Sequence, residues 1–399
     1  MPRLKVRGVT TTNSQRGITD QRLTANARRL RPLLCDYAAA SDIMRKMPDE
    51  VLDGLTEAGF FRLLKPRHFG GYDVNQRTVL EVILTLGQAN ASAAWLVGIA
   101  AGGSALARRG SERLQAEIFS NRDARIAGSL NPGTARRVDG GLCVRGNWPY
   151  SSGAPHADWA AICAAVPDEA SDIVPYVCFA PVAEVQVHDT WHMAGMRGTA
   201  SQTFVADELF IPEHRTIALD ALGDGQHAGS TSDELPLAPL FNLYFVATLL
   251  GIGQAAAELV IEAAPRKAMT STCFARQSDS VGVQIQVAEA KLKLRSAGLL
   301  VFDVADELDA GTLVAGEAGY PRRARVRAQC AFAARQTMEA VQTLLDVCGA
   351  GGFAEASRMQ QYWRDASVAA RHAALNVHVG YEIYGKSLLG VAERISPLV

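Results

Sequence analysis

Apolar positions along this 399-residue chain follow a helical period, then a strand period, then a helical period again. Leu30, Leu33, Leu34 and Tyr37 stand at i, i+3, i+4 and i+7, which is one stripe of a helix. Pro48, Asp49 and Glu50 make a helix start, because proline's fixed φ suits the first turn and carboxylates favour its free N–H groups. Gly59 makes the stop after Leu52, Leu55 and Ala58. Residues 79–86 and 93–106 predict two more apolar helices, so 19–122 reads as an N-terminal α-helical domain behind a disordered tail, 1–18.

Near Arg125 the period shortens. Ile126 to Leu130, Leu142 to Arg145, Trp159 to Cys163, Tyr176 to Phe179 and Thr203 to Ala206 are short runs of strand formers. Asn131-Pro132-Gly133 and Asp139-Gly140-Gly141 are turn signals between them, which predicts an antiparallel β domain over 123–217. A polar stretch gives a linker at 218–236. Beyond it, Val281, Ile285, Ala288 and Leu292 mark one amphipathic helix, and Val341, Leu344, Leu345 and Cys348 another. With 241–263 and 362–392 they predict four long helices, a C-terminal four-helix bundle over 237–399. The fold class is α+β and mostly α.

Composition narrows the function. Hydrophobic content of 48%, with 20% charged residues and a net charge of −1, fits a globular protein without a nucleic-acid footprint. Seven scattered cysteines with no CxxC pair suggest reduced thiols and a cytoplasmic setting. The apolar stretches read as too short or interrupted to span a bilayer, and no secretory signal is expected from the first residues. His188 and His192 lack the helical context of a metal site, so no metal is expected. Neither a GxSxG nor a Walker A motif is present.

Four places could carry chemistry. His372 falls seven residues after Asp365, close to two turns, which predicts that both share one face of one helix, and imidazole moves protons near neutral pH. Gly146-Asn147-Trp148-Pro149-Tyr150-Ser151-Ser152-Gly153 reads as a strand end where Pro149 stops the pairing. It offers either an aromatic and two hydroxyls to a flat ligand or an ordinary buried Trp148. Gly195-Met196-Arg197-Gly198-Thr199 is either a loop that approaches a ligand closely or a surface turn with a solvated Arg197. Cys348-Gly349-Ala350-Gly351-Gly352-Phe353 is either a phosphate-binding turn or a helix C-cap.

Taken in order, Ala93-Ala94-Trp95, Gly146 to Gly153 with His156-Ala157-Asp158-Trp159, Gly195 to Thr199, Asp207-Glu208-Leu209-Phe210-Ile211-Pro212, Gln361 to His372 and Tyr384 to Gly390 resemble the acyl-CoA dehydrogenase fold. The likeness is to its oxygenase branch, the two-component (group D) flavin-dependent monooxygenases. Ala373 stands where many dehydrogenases carry the catalytic Glu, and Ser129-Leu130-Asn131-Pro132-Gly133 replaces their Thr-Glu pair. The resemblance implies an oxygenase that takes reduced FMN or FAD from a separate flavin reductase. With O2 it would form a C4a-hydroperoxyflavin and hydroxylate an aromatic or polyketide-like small molecule. It implies that His372 stabilises that adduct or activates the substrate, with Trp148, Ser151 and Ser152 at the flavin ring. Arg276 and Gln277 would reach a neighbour's cofactor in a homotetramer, Gly351 and Gly352 would bind cofactor, and Arg197 and Ser129 would border the substrate. Pocket residues are expected around 98–108, 235–245 and 370–378. The alternatives are N-oxygenation of an amino sugar, an acyl-CoA dehydrogenase, or a non-catalytic flavin-binding protein.

Overall fold

Three blocks follow one another in the computed structural model, which describes residues 19–167, 173–219, 236–314, 316–396 and 399. The tail expected at 1–18 and most of the linker expected at 218–236 lie outside the described residues.

The first block holds α1 (Gln21–Asp36), α2 (Ala38–Met44), α3 (Asp49–Glu57), α4 (Gln76–Gly87), α5 (Ala91–Ala107) and α6 (Glu112–Phe119). Short polar side chains start them: Asp20, Asn75, Asn90 and Ser111 each accept a free N–H of the first turn of α1, α4, α5 and α6. Pro48 precedes α3, and Gly59 follows it at φ +83°, as the sequence predicts. Helix α5 is buried on almost every side, which explains its lack of a polar face. Gly102 within it leaves the room that the Phe241 ring fills, since a Cβ there would meet that ring at 2.2 Å.

The sheet contains β1 (Ile126–Val138), β2 (Gly141–Ser151), β3 (Trp159–Pro167), β4 (Ile173–Pro181), β5 (Gln186–His188), β6 (Gln202–Pro212) and β7 (Thr216–Ala218). Their order is β5-β6-β2-β1-β3-β4-β7. The expected strands are present, but the sheet is mixed rather than wholly antiparallel, because β1 pairs with β3 in parallel. The β1–β2 hairpin reverses the chain and the turn at Ala154–His156 reverses it again, so β3 arrives beside β1 pointing the same way. Two turn signals turn out to be irregularities inside strands. Asn131-Pro132-Gly133 sits within β1, where the register shifts between Ser129 and Pro132. Pro149 sits within β2, where it shifts between Trp148 and Ser151. Proline has no N–H to give the ladder, and the chain bulges past it.

The last block holds α7 (Leu237–Ala263), α8 (Val281–Asp309), α9 (Gly316–Cys348), α10 (Arg358–Ala369) and α11 (Val377–Leu388). Helix α7 corrects one expectation: its 27 residues are long and apolar enough to cross a membrane. It is instead a core helix, enclosed by α4, α5, α8 and α9. The long helix expected over 362–392 is broken into α10 and α11, 12 residues each, by the turn that carries His372. Asp365 and His372 therefore do not share a helical face. On α8 the stripe read as core-facing looks outward, with Ile285 62% and Leu292 66% exposed. Its buried face is Val283, Ala290, Leu294, Ala297, Val301 and Val304.

Candidate active site

Helix α10 ends at Ala370, and His372 then takes an extended backbone (φ −56°, ψ 138°) that starts the short turn Ala373–Leu375. Its Nδ1 accepts the N–H of Ala374 at 3.1 Å. A backbone amide always donates, so Nδ1 is the acceptor and the neutral ring carries its proton on Nε2. Trp95 on α5 and Phe245 on α7 frame the imidazole, with ring centroids 5.6 Å and 4.2 Å away. Those two rings stack on each other at 4.3 Å. Burial, aided by the charge of Arg327, pushes the imidazole pKa down to about 4. The side chain nonetheless keeps an exposed surface. The ring is thus packed against Trp95 and Phe245 while the residue stays open to solvent.

Behind Trp95 runs a chain of hydroxyls whose direction can be worked out. Thr199 donates to the Met196 carbonyl at 2.8 Å, so Ser201 must donate to Thr199 (2.7 Å) and Ser152 to Ser201 (2.7 Å). Ser152 in turn accepts from Trp95 Nε1–H at 3.1 Å. All four side chains are buried, so the relay fixes the indole against the β domain. The Met196 N–H donates to Asp365 at 2.6 Å, joining the same loop to α10. Gly195 is required there, because a Cβ would meet the Arg364 carbonyl oxygen at 2.3 Å. Burial raises the Asp365 carboxyl to about 7, against the opposing pull of the Met196 amide.

The remaining candidates divide. Trp148 is fully buried inside the β core, where its Nε1 donates to the Cys163 carbonyl at 2.7 Å, so it does not offer a face to a ligand. Ser151 is equally buried and donates to the Trp148 carbonyl. The exposed-aromatic reading fails for that pair because Trp148 points to the core side of β2; the exposed ring of this motif is Tyr150, at φ +62°. Ser152 does reach the His372 neighbourhood, through Trp95. Arg197 is drawn off by the Asp42 carbonyl (2.8 Å) and the Met193 carbonyl (3.2 Å), so it anchors the loop to α2. Ser129 is half-buried at the β1 bulge, its Oγ 3.4 Å from the Asn131 amide.

A separate cluster forms at one end of the bundle. Gln277 donates to the Val347 carbonyl at 2.9 Å, and Lys267 donates to the Cys348 carbonyl at 2.7 Å. This brings Arg276 and Gln277 beside the turn Gly349–Phe353, which contains Gly351 and Gly352 and ends α9 with Gly349 at φ +63°. The turn closes a helix rather than opening one. Phe245 closes the stretch 235–245 where pocket residues are expected and Trp95 belongs to the Ala93-Ala94-Trp95 motif, whereas Lys267 and Arg327 carry no signal in the sequence. Among the described residues no three His, Cys, Asp or Glu side chains stand close enough to hold a metal ion.

A helical block, a β domain and a bundle in this order are the architecture of the acyl-CoA dehydrogenase fold. The family described as "Acyl-CoA dehydrogenase, C-terminal domain" matches residues 243–377. XiaF from Streptomyces sp., solved in complex with FADH2 and glycerol, is 31% identical; the match has a TM-score of 0.90 and covers 94% of this chain and 97% of XiaF. The oxygenase subunit HsaA of a flavin-dependent monooxygenase from Rhodococcus jostii (strain RHA1) is 29% identical over 381 residues, 93% of this chain and 98% of HsaA. The oxygenase component of the FADH2-dependent resorcinol hydroxylase from Rhizobium sp. (strain MTP-10005) is 28% identical over 389 residues, 94% and 95% of the two chains. The chain belongs to the two-component flavin-dependent monooxygenases of acyl-CoA dehydrogenase fold, as an oxygenase component.

Proposed function

We propose that this enzyme hydroxylates a ring carbon of an electron-rich aromatic small molecule, with reduced flavin delivered by a separate reductase. The observation that carries the reading is the uncharged aromatic setting of His372, which packs against the buried, stacked Trp95 and Phe245. A flat, uncharged ring beside it strands few polar groups. Named relatives support the same chemistry: the resorcinol hydroxylase, and the oxygenase component of p-hydroxyphenylacetate 3-hydroxylase from Acinetobacter baumannii, 27% identical over 375 residues. KijD3, solved with FMN and a dTDP-linked amino sugar, is 18% identical at a TM-score of 0.82, a likeness of fold alone.

The donor set fits a flavin. A neutral imidazole, two aromatic faces and a hydroxyl relay suit the uncharged ring system, and Arg276, Gly351 and Gly352 at the bundle end suit its phosphate part. FADH2 is the form favoured, since XiaF was solved with it and the resorcinol hydroxylase depends on it. When bound, the reduced flavin supplies the two electrons that activate O2, one oxygen atom passing to substrate and the other leaving as water. His372 offers its Nε2–H to an oxygen atom beside it, and its lowered pKa keeps the ring uncharged near neutral pH. Trp95, held by Ser152, and Phe245 orient the imidazole itself.

Two further features complete the proposal. Val281, Ile285, Leu292 and Leu299 leave an apolar stripe on α8, which supports assembly of the bundles into a homotetramer; a monomer by light scattering would remove it. Seven free cysteines support a cytoplasmic setting. To test the reaction, the protein is mixed anaerobically with FADH2 and a panel of phenols, then with O2, and products are weighed by mass spectrometry. Hydroxylated phenol with matching O2 consumption is expected. Release of all the oxygen as peroxide with every phenol would overturn the substrate class.

A further inference from the structure

Arg327 lies on the inner face of α9, buried and without a carboxylate partner among the described residues. Its Nη1 donates to Asn242 Oδ1 on α7 at 3.1 Å and its Nη2 to the Ala373 carbonyl at 2.5 Å. The second contact grips the residue directly after His372. We propose that Arg327 is a positioning residue for His372, fixing the turn that holds Nδ1 as acceptor and leaves the Nε2–H of the imidazole unspent. The geometry follows bond by bond. With the Ala373 carbonyl held, the Ala374 N–H stays on His372 Nδ1 at 3.1 Å, and the Leu375 N–H stays on the His372 carbonyl at 2.8 Å. A freed turn would release Nδ1 and let the ring exchange tautomers.

The guanidinium has a second effect on the same ring. The groups packed against His372 from α5 and α7 are Trp95 and Phe245, which carry no charge. Arg327, from α9, is the charged group acting on it, and it opposes a second cation beside it. Burial pulls the Arg327 pKa down, yet a guanidinium remains charged. Burying such a group merely to hold one carbonyl is costly compared with an apolar side chain of similar volume.

The inference rests on the role proposed for His372, and its test separates the two. Selectively labelled histidine in the full-length protein is followed by nitrogen-15 NMR, with the His372 signal assigned from His372→Asn. In the wild type, an Nε2–H tautomer that stays neutral well below pH 6 is expected. In Arg327→Met the titration should move up part of the way towards the ordinary 6.5, because burial remains, and the tautomers should mix. The fraction of O2 converted to product at pH 6 should fall roughly threefold to tenfold. Arg327→Lys keeps the charge and should restore the acid limb, though not the single tautomer. Asn242→Ala loosens the guanidinium without removing it, and should give a smaller change in the same direction even if Arg327→Met does not fold. An unchanged tautomer and titration in these variants overturn the proposal. A shifted titration with unchanged product yield sustains the Arg327 link and overturns the catalytic role of His372 instead.

Discussion

Asp365 and His372 sit seven residues apart at the two ends of one short stretch, Asp365 buried and His372 packed against aromatic rings yet exposed. Asp365 faces inward from α10 and closes on the Met196 amide, and Arg364 beside it is bonded to Asp42 at 3.2 Å. His372 stands past the helix end, spends Nδ1 on its own turn and leaves Nε2 unspent. Burial works on both in the same way, by disfavouring charge, and so moves them in opposite directions: the carboxyl up to about 7, the imidazole down to about 4. The difference lies in what is left over. A group whose bonding is completed internally holds the structure, whereas a group with one unspent donor at an accessible surface can do chemistry.

Removing the unspent donor should have the largest effect. His372→Ala is expected to lower product formation by about 100-fold or more, with flavin binding kept and peroxide rising. Unchanged product yield in that variant would erase the distinction. The closed end should instead show in stability. Asp365→Ala strands the buried Met196 N–H and should cost about 2 kcal/mol by urea denaturation, while Asp365→Asn keeps an acceptor and should cost less than about 1 kcal/mol. Equal losses in the two variants would show that the bond to Met196 does not matter. Trp95→Phe removes the donor to Ser152 but keeps a ring against Phe245, and should cost about 1 kcal/mol or less.

The smallest effect is the net pH dependence of the wild type, where the two groups oppose each other. Between about 4 and 7 the native state keeps a proton on Asp365 that the unfolded chain has released, so its contribution to stability falls as pH rises. His372 is neutral in the native state down to about 4, while the unfolded ring charges below 6.5. Its contribution is complete above pH 6.5 and is lost as pH falls towards 4. Urea midpoints measured from pH 4.5 to 7 should therefore climb more steeply with pH in Asp365→Asn than in the wild type, and less steeply in His372→Asn. Parallel curves for all three proteins would show that neither group titrates as its surroundings dictate.

Much of the fold was legible because periodicity reports burial. The starts and stops at Asp49 and Gly59, the strands from Ile126 to Ala206 and the long apolar helices all lie where local pattern placed them. The pattern misled where one signal serves two purposes. On α8 the stripe of Ile285 and Leu292 is as apolar as a core face, yet it looks outward, because periodicity says that a face is buried without saying by what. Pro149 and Asn131-Pro132-Gly133 read as ends of strands, but a sheet can bulge past a missing N–H when neighbouring strands hold it on both sides. Trp148 and Tyr150 share a motif, and their register in β2 decided which ring was buried.

His372 was selected from the sequence by its residue type and its resemblance to a family, and that selection needed no coordinates. Its partners did need them. Trp95 and Phe245 lie on helices with no polar face to single out one aromatic, and Arg327 lies among Arg322, Arg323 and Arg325 with nothing in the string to set it apart. The sequence by itself determined the order of helix and strand, the flavin-fold signature and the imidazole. Tertiary structure alone decided that the helix breaks before His372, that Ala374 fixes its tautomer and that a guanidinium from α9 grips the next carbonyl. The reason is that element type follows from neighbours a few residues away, whereas the state of a side chain follows from whatever the fold brings within a few ångströms of it.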